Sequence, residues 1–232
     1  MTPAFLHLIV DRLEKKYGRQ TRYSSKGPME QIIATILSQR TNYADEKLAY
    51  DQLRAQFPSW EAVADAPTEA LEKLIQSARF PELKAPRIKE VIRRIMERNG
   101  SASLDFLADM TTEDAQAYLM SLPGVGFKTS TFVLLFSMRR PVLPVDTHVH
   151  RVSTRTGIIP FKTSQEKAHQ LLLQMQPRHA DGLLNFHKLL FKHGQEICTF
   201  SFPRCRECML KDVCAYYIAI LEASSRNDVS TR

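Results

Sequence analysis

Apolar residues recur at intervals of three and four along nearly the whole chain, and that spacing favours helices over strands. Phe5, Leu6, Leu8, Ile9 and Leu13 make one stripe, and Ile32, Ile33, Ile36 and Leu37 make another. At 3.6 residues per turn such positions share one face, whereas a half-buried strand needs strict alternation. Further helices are expected over 44–57, 68–77, 86–98, 112–122, 127–138, 146–156, 164–175 and 183–193. Asn42 or Tyr43, Pro67-Thr68, and Thr111 or Thr112 supply the expected starts, with acids in the following turn. No run alternates long enough to demand a sheet. The expected fold class is all-α, and 232 residues suffice for one large or two modest domains.

Hydrophobic residues make up 44% and charged residues 25% of the chain, the balance of a soluble globular protein. The formal net charge of +7 favours a polyanionic partner, nucleic acid before membrane. Most of the excess lies between Arg139 and Cys214, where 12 Lys and Arg face 6 Asp and Glu, a net of +6. The N-terminal run is broken by His7 and Asp11 and reads as an amphipathic helix rather than a signal peptide. No membrane span is expected, and a cytoplasmic protein is (nucleoid-associated in a bacterial host). The polar stretch 223–232 is expected to be a disordered tail.

All four cysteines, Cys198, Cys205, Cys208 and Cys214, fall within 17 residues. Without a signal peptide, disulfides are disfavoured and a metal site is the stronger reading. Zinc sites usually pair two Cys-x-x-Cys knuckles, and only one occurs here. Four thiolates in one compact loop also suit an iron–sulfur cluster. The spacing favours iron–sulfur and leaves zinc open.

The stretch "LPGVGFKTS" runs from Leu122 to Ser130. It is not a Walker phosphate loop, because Phe127 separates Gly126 from Lys128 and no strand precedes it. It fits a helix-hairpin-helix, with 112–122 and 127–138 as the helices around Gly124-Val125-Gly126. The backbone N–H groups at the second helix's start suit a DNA phosphate without reading sequence. A plain structural hairpin is the competing account. Lys128 stands in that helix's first turn, where the dipole disfavours an ammonium and so favours the free amine of a Schiff-base nucleophile. An ordinary solvated lysine remains the alternative. Eighteen residues on, "PVDTHVHRV" puts Asp146 at a helix start, where its simplest role is an N-cap. A helix of about 18 Å and a connection reaching about 20 Å allow Asp146 to return beside Lys128. There a carboxylate can stabilise positive charge developing on a sugar.

The glycine hairpin with its lysine, the Val-Asp-Thr-His segment and the C-x6-C-x2-C-x5-C loop together resemble the endonuclease III family. That is the iron–sulfur branch of the helix-hairpin-helix (HhH-GPD) DNA glycosylases, and the resemblance covers roughly residues 28–217. It implies two helical domains with a DNA-binding cleft between them. Residues 30–140 would form a six-helix barrel, and 1–29 with 141–222 a cluster domain. It further implies a monomeric base-excision repair enzyme acting on double-stranded DNA that carries a damaged base or an abasic site. The enzyme would be a bifunctional glycosylase and AP lyase for damaged, typically oxidised, pyrimidines. Lys128 would attack the sugar of a flipped-out nucleotide and Asp146 would assist. The four cysteines would hold a 4Fe–4S cluster that orders a DNA-facing loop.

In "LSQRTN", Gln39 or Arg40 would fill the gap left by the flipped base. In "SARFPELKAP", Phe80 or Leu83 would enter the base stack or else belong to the core. Arg204, with Arg206 just beyond, would contact DNA from the less basic loop "TFSFPR". Met120 stands where family members often carry an acid, and His148 is expected to pack or hydrogen-bond beside the site. The competing functions are a monofunctional glycosylase, which lacks the hairpin lysine, a non-catalytic DNA-structure binder, and a redox protein with no use for the Lys–Asp pair.

Overall fold

The structure is a computed structural model describing residues 2–176 and 179–229, with 224–229 described for their backbone alone. The described residues form twelve α-helices and no strand. These are α1 (Pro3–Tyr17), α2 (Pro28–Ser38), α3 (Tyr43–Gln56), α4 (Trp60–Asp65), α5 (Thr68–Leu74) and α6 (Pro81–Asn99). Then come α7 (Thr112–Ser121), α8 (Phe127–Phe136), α9 (Thr147–Thr156), α10 (Gln165–Gln174), α11 (Ala180–Glu196) and α12 (Ala215–Val229). The all-α expectation holds among these residues, and none of the helices is long and apolar enough to cross a membrane.

The chain divides into two compact units, Tyr23–Arg140 and Met1–Arg22 with Pro141–Arg232. Residues 23–29 fall in the first of these units. The cause is local. Ser24 N–H donates to Phe136 O, Lys26 lies over the Tyr50 ring, and Tyr23 lies under Arg139.

In the unit 23–140, α2 is buried on every side, with Met29, Ile32, Ile33, Ala34, Ile36 and Leu37 all inside. A helix apolar all round has to be central, and α2 packs on α3, α6 and α8. In the other unit α11 takes that place. Leu183, Leu184, Phe186, Leu189 and Leu190 are buried where α11 meets α1 and α9, and α12 packs on α9.

Several starts follow the expected caps. Asn42 accepts the Asp45 N–H, Thr111 the Asp114 N–H and Ser164 the Lys167 N–H, each completing a first turn. Helix α6 begins at Pro81, five residues before the expected Pro86, and keeps Pro86 inside. At the sixth helical position Pro86 loses the bond to residue 82 and crowds that carbonyl, a cost of about 3 kcal/mol set against the burial of Ala85, Ile88, Val91, Ile92 and Ile95 on the same helix. Helix α12 runs to Val229, with no glycine or proline to stop it, while 230–232 lie outside the described residues.

Lys84 ties the loop after α2 to the start of α6. Its buried ammonium donates to Leu37 O at 2.6 Å and Thr41 Oγ1 at 2.8 Å, and the Arg79 N–H donates to the same hydroxyl. Burial, with the nearby Arg87 charge second, pushes the Lys84 amine down to about 8. A base depressed on folding costs stability while it is charged, and that cost fades as pH rises from the folded to the unfolded value. Urea midpoints of wild type and Lys84→Met should therefore diverge in favour of wild type between pH 8 and 10.5, the latter being the unperturbed lysine value. A difference that stays flat across this window would show that Lys84 is not desolvated.

Candidate active site and cysteine cluster

The hairpin forms because Gly124 takes φ +72° and lets the Val125 N–H turn back to Leu122 O at 3.1 Å. A Cβ on Gly124 would lie 2.3 Å from Arg87 Cδ, so this backbone closes directly over the arginine. Gly126 then caps α8 without a side chain, leaving that end to backbone N–H groups. Val125 is buried, whereas Gly124 and Gly126 are exposed. Lys128 is exposed in the first turn of α8, with Nζ 5.4 Å from the Phe132 ring centre. Met120, 44% exposed, closes α7 just before the turn.

Gln39 is fastened to this hairpin. Its amide donates to Gly124 O at 3.1 Å and accepts from Arg87 Nη1 at 3.1 Å. Arg40, next in sequence, has φ 56° and lies over the Phe80 ring, itself at φ 60°. Two neighbouring non-glycine residues in the left-handed region store backbone strain, which Lys84 and Thr41 hold in place from beneath. Phe80 and Leu83 are exposed rather than core.

Asp146 is the N-cap of α9, and its Oδ1 accepts from His148 N at 2.9 Å and Val149 N at 2.8 Å. The residue is 4% exposed, and no hydrogen bond to Oδ2 is present among the described residues. The preceding segment is held by His187, whose Nδ1 lies 2.9 Å from Pro144 O. His148 packs edge-on against Phe191 with ring centres 4.9 Å apart, and its Nδ1 meets Arg151 Nη2 at 3.0 Å. His150 bonds Thr163 O. Lys128 and Asp146 belong to different units.

The four thiols line one cavity, together with Arg155, His193, Leu210 and Tyr216 among others. Burial, then the other cysteine sulfurs, raises Cys205, while Cys208 is pushed up to about 11, chiefly by burial. Cys214 is raised in the same direction, again chiefly by burial. Donors nevertheless point at sulfur: Leu210 N–H lies 3.4 Å from Cys208 Sγ and Arg155 Nη1 3.6 Å from Cys198 Sγ. No three His, Cys, Asp or Glu side chains among the described residues converge on a single-ion site.

Two arginines on α9 frame the cysteine loop. Arg151 donates to Cys198 O and Gly194 O at 2.8 Å each, and Arg155 to Thr199 O at 2.6 Å and Phe200 O at 2.9 Å. Their spacing of four after "VDTH" was the available signal, but an arginine pair on a helix more often means a solvated face. Arg204 donates twice to Glu196 O and sits 3.7 Å from Glu207, while Phe200 and Phe202 stand 78% and 88% exposed.

The sequence matches the HhH-GPD superfamily of base excision DNA repair proteins over residues 33–178. It is 35% identical over 203 residues to endonuclease III of Thermotoga maritima, an alignment covering 88% of this chain and 89% of the relative. Against endonuclease III of Sulfolobus acidocaldarius the identity is 30% over 190 residues, covering 81% of each. The fold superposes on an endonuclease III solved in a non-covalent complex with DNA at a TM-score of 0.82. There the identity is 24%, and 96% of this chain and 99% of that one are covered. The chain belongs to the HhH-GPD superfamily of base excision DNA repair proteins, in its endonuclease III branch.

Proposed function

We propose that Lys128 and Asp146 are the catalytic pair of a bifunctional DNA glycosylase and AP lyase, the activity of the endonuclease III branch to which the chain belongs. The observation that carries this reading is the exposed Lys128 amine in the first turn of α8, directly after the Gly124–Gly126 turn. The N–H groups of that turn bind a backbone phosphate of damaged double-stranded DNA, which brings the flipped nucleotide's sugar to the amine. Lys128 Nζ attacks C1′ as the glycosidic bond breaks, the base leaves with a proton from the amine, and the C1′–O4′ bond then opens, with O4′ taking a proton, to give the protonated imine. The imine then acidifies C2′, and loss of that proton expels the 3′ phosphate by β-elimination. The Asp146 carboxylate stabilises positive charge as the base departs. Gln39 or Arg40 fills the gap, with Phe80 or Leu83 as the wedge and Arg204 on the cysteine-loop side. The base taken is a damaged pyrimidine.

The cysteine cavity supports a 4Fe–4S cluster held by Cys198, Cys205, Cys208 and Cys214. The thiols surround a common space, and N–H donors already face sulfur. When bound, the cluster supplies iron–thiolate bonds that order the loop 198–214. The burial that disfavours bare thiolates is offset by the metal charge, so loading must release protons.

Borohydride should trap a covalent DNA adduct on the wild type and none on Lys128→Gln, read on denaturing gels. Base release without any wild-type adduct would sink the lyase assignment. Asp146→Asn keeps the cap, because asparagine caps as well as aspartate. Its thermal midpoint and DNA affinity should stay near wild type while base release falls about 10²–10⁴-fold. Unchanged turnover would reduce Asp146 to a cap. Anaerobically purified protein should carry roughly four iron atoms per chain and absorb near about 400 nm, and zinc in their place would refute the cluster.

A further inference from the structure

His193 is 1% exposed on the last turns of α11, beside the cysteine cavity rather than in the proposed active site. Its Nε2 lies 3.5 Å from Cys208 Sγ, and its Nδ1 lies 3.3 Å from the Tyr17 hydroxyl at the end of α1. The two rings meet edge-on, with centres 6.2 Å apart. The His193 carbonyl also accepts the Cys198 N–H at 2.8 Å, so one residue touches the loop at two of its cysteines.

We propose that Tyr17 and His193 form a directed hydrogen-bond relay onto Cys208, in which His193 is a positioning residue for the cluster. The proposal rests on the 4Fe–4S reading above. A ligating cysteine is a thiolate and can only accept, so the proton must sit on Nε2. A neutral imidazole then presents a bare lone pair at Nδ1, which the Tyr17 hydroxyl fills as donor. With the cysteine as a free thiol every bond in the chain can reverse. The direction of the relay therefore follows the state of Cys208, and Tyr17 locks the tautomer that the loaded site requires. A donor aimed at a cluster sulfur stabilises the reduced, more negative state and so raises the reduction potential.

The test uses full-length protein carrying its cluster, with Tyr17→Phe, His193→Leu and His193→Gln. Two readouts are independent of repair activity: iron release to a chromogenic chelator, and the cluster's reduction potential on DNA-free protein. His193→Leu should release iron about 10-fold faster or more and shift the potential negative. Tyr17→Phe should move both in the same direction by less, and His193→Gln, which keeps an N–H donor, should recover part of each. A merely structural histidine would alter iron release without moving the potential. If Tyr17→Phe leaves potential and release at wild-type values, the relay is wrong while the cluster stands. If wild type itself holds no iron, the cluster reading fails first and the relay with it. Should His193→Leu not fold, Tyr17→Phe alone decides.

Discussion

Helix α9 is fixed at both ends by side chains that cannot be released independently. At its start the Asp146 carboxylate is buried, an expensive place for a charge, and is stabilised by two first-turn N–H groups and by the positive end of the helix dipole. Further along, Arg151 and Arg155 saturate the carbonyls of Gly194, Cys198, Thr199 and Phe200. A hydrogen bond from a charged group contributes about 1.5–3 kcal/mol, and these share one rigid rod. Sliding or turning α9 would break both sets together. The carboxylate proposed for catalysis and the loop proposed for the cluster are thus held by one element, with His187 on Pro144 and Phe191 on His148 closing it from α11.

The unit 23–140 uses backbone conformation where its neighbour uses charge. Gly124 is left-handed and lies directly on the Arg87 side chain, so no side chain fits there without displacing the arginine. That arginine also positions the Gln39 amide, whose other end grips the hairpin carbonyl. A phosphate drawn to the N–H groups of this turn would meet a backbone already fixed from behind. The strained pair Arg40 and Phe80 sits on the same loop system, kept in place by Lys84. Strain of this kind persists only where surroundings over-determine it, and here a buried ammonium with two acceptors does so.

The local settings of Lys128, Asp146 and the cysteines were legible because each sits in a short pattern: glycines before a lysine, an acid at a helix start, thiols within one loop. Helices announced themselves wherever an apolar stripe was long. Lys84, Arg87, Arg151, Arg155 and His193 were not legible, since each acquires its role from a partner 40 or more residues away or from burial. Lysine and arginine are solvated by default, so sequence offers no sign that one will be sealed against a carbonyl. The different start of α6 has a simpler cause. Pro86 looked like a start because proline is favoured at the first helical position, a place that Pro81 takes instead.

The cysteine loop shifts the balance of forces expected of a DNA-facing surface. Between Cys198 and Cys205 the one cation, Arg204, already donates to Glu196 O and faces Glu207, so a phosphate would have to displace contacts it cannot fully replace. What the loop offers outward instead is Phe200 and Phe202, their backbones pinned by Arg155 and by the Thr199 hydroxyl on Phe202 O. Phenylalanine releases no counterions, so the stretch between Cys198 and Cys205 adds little to the salt-dependent part of DNA affinity. In the proposed complex that part must come from cations elsewhere on the chain. The hairpin's backbone dipoles hold a phosphate in register without adding a formal charge, so they add affinity that depends little on salt.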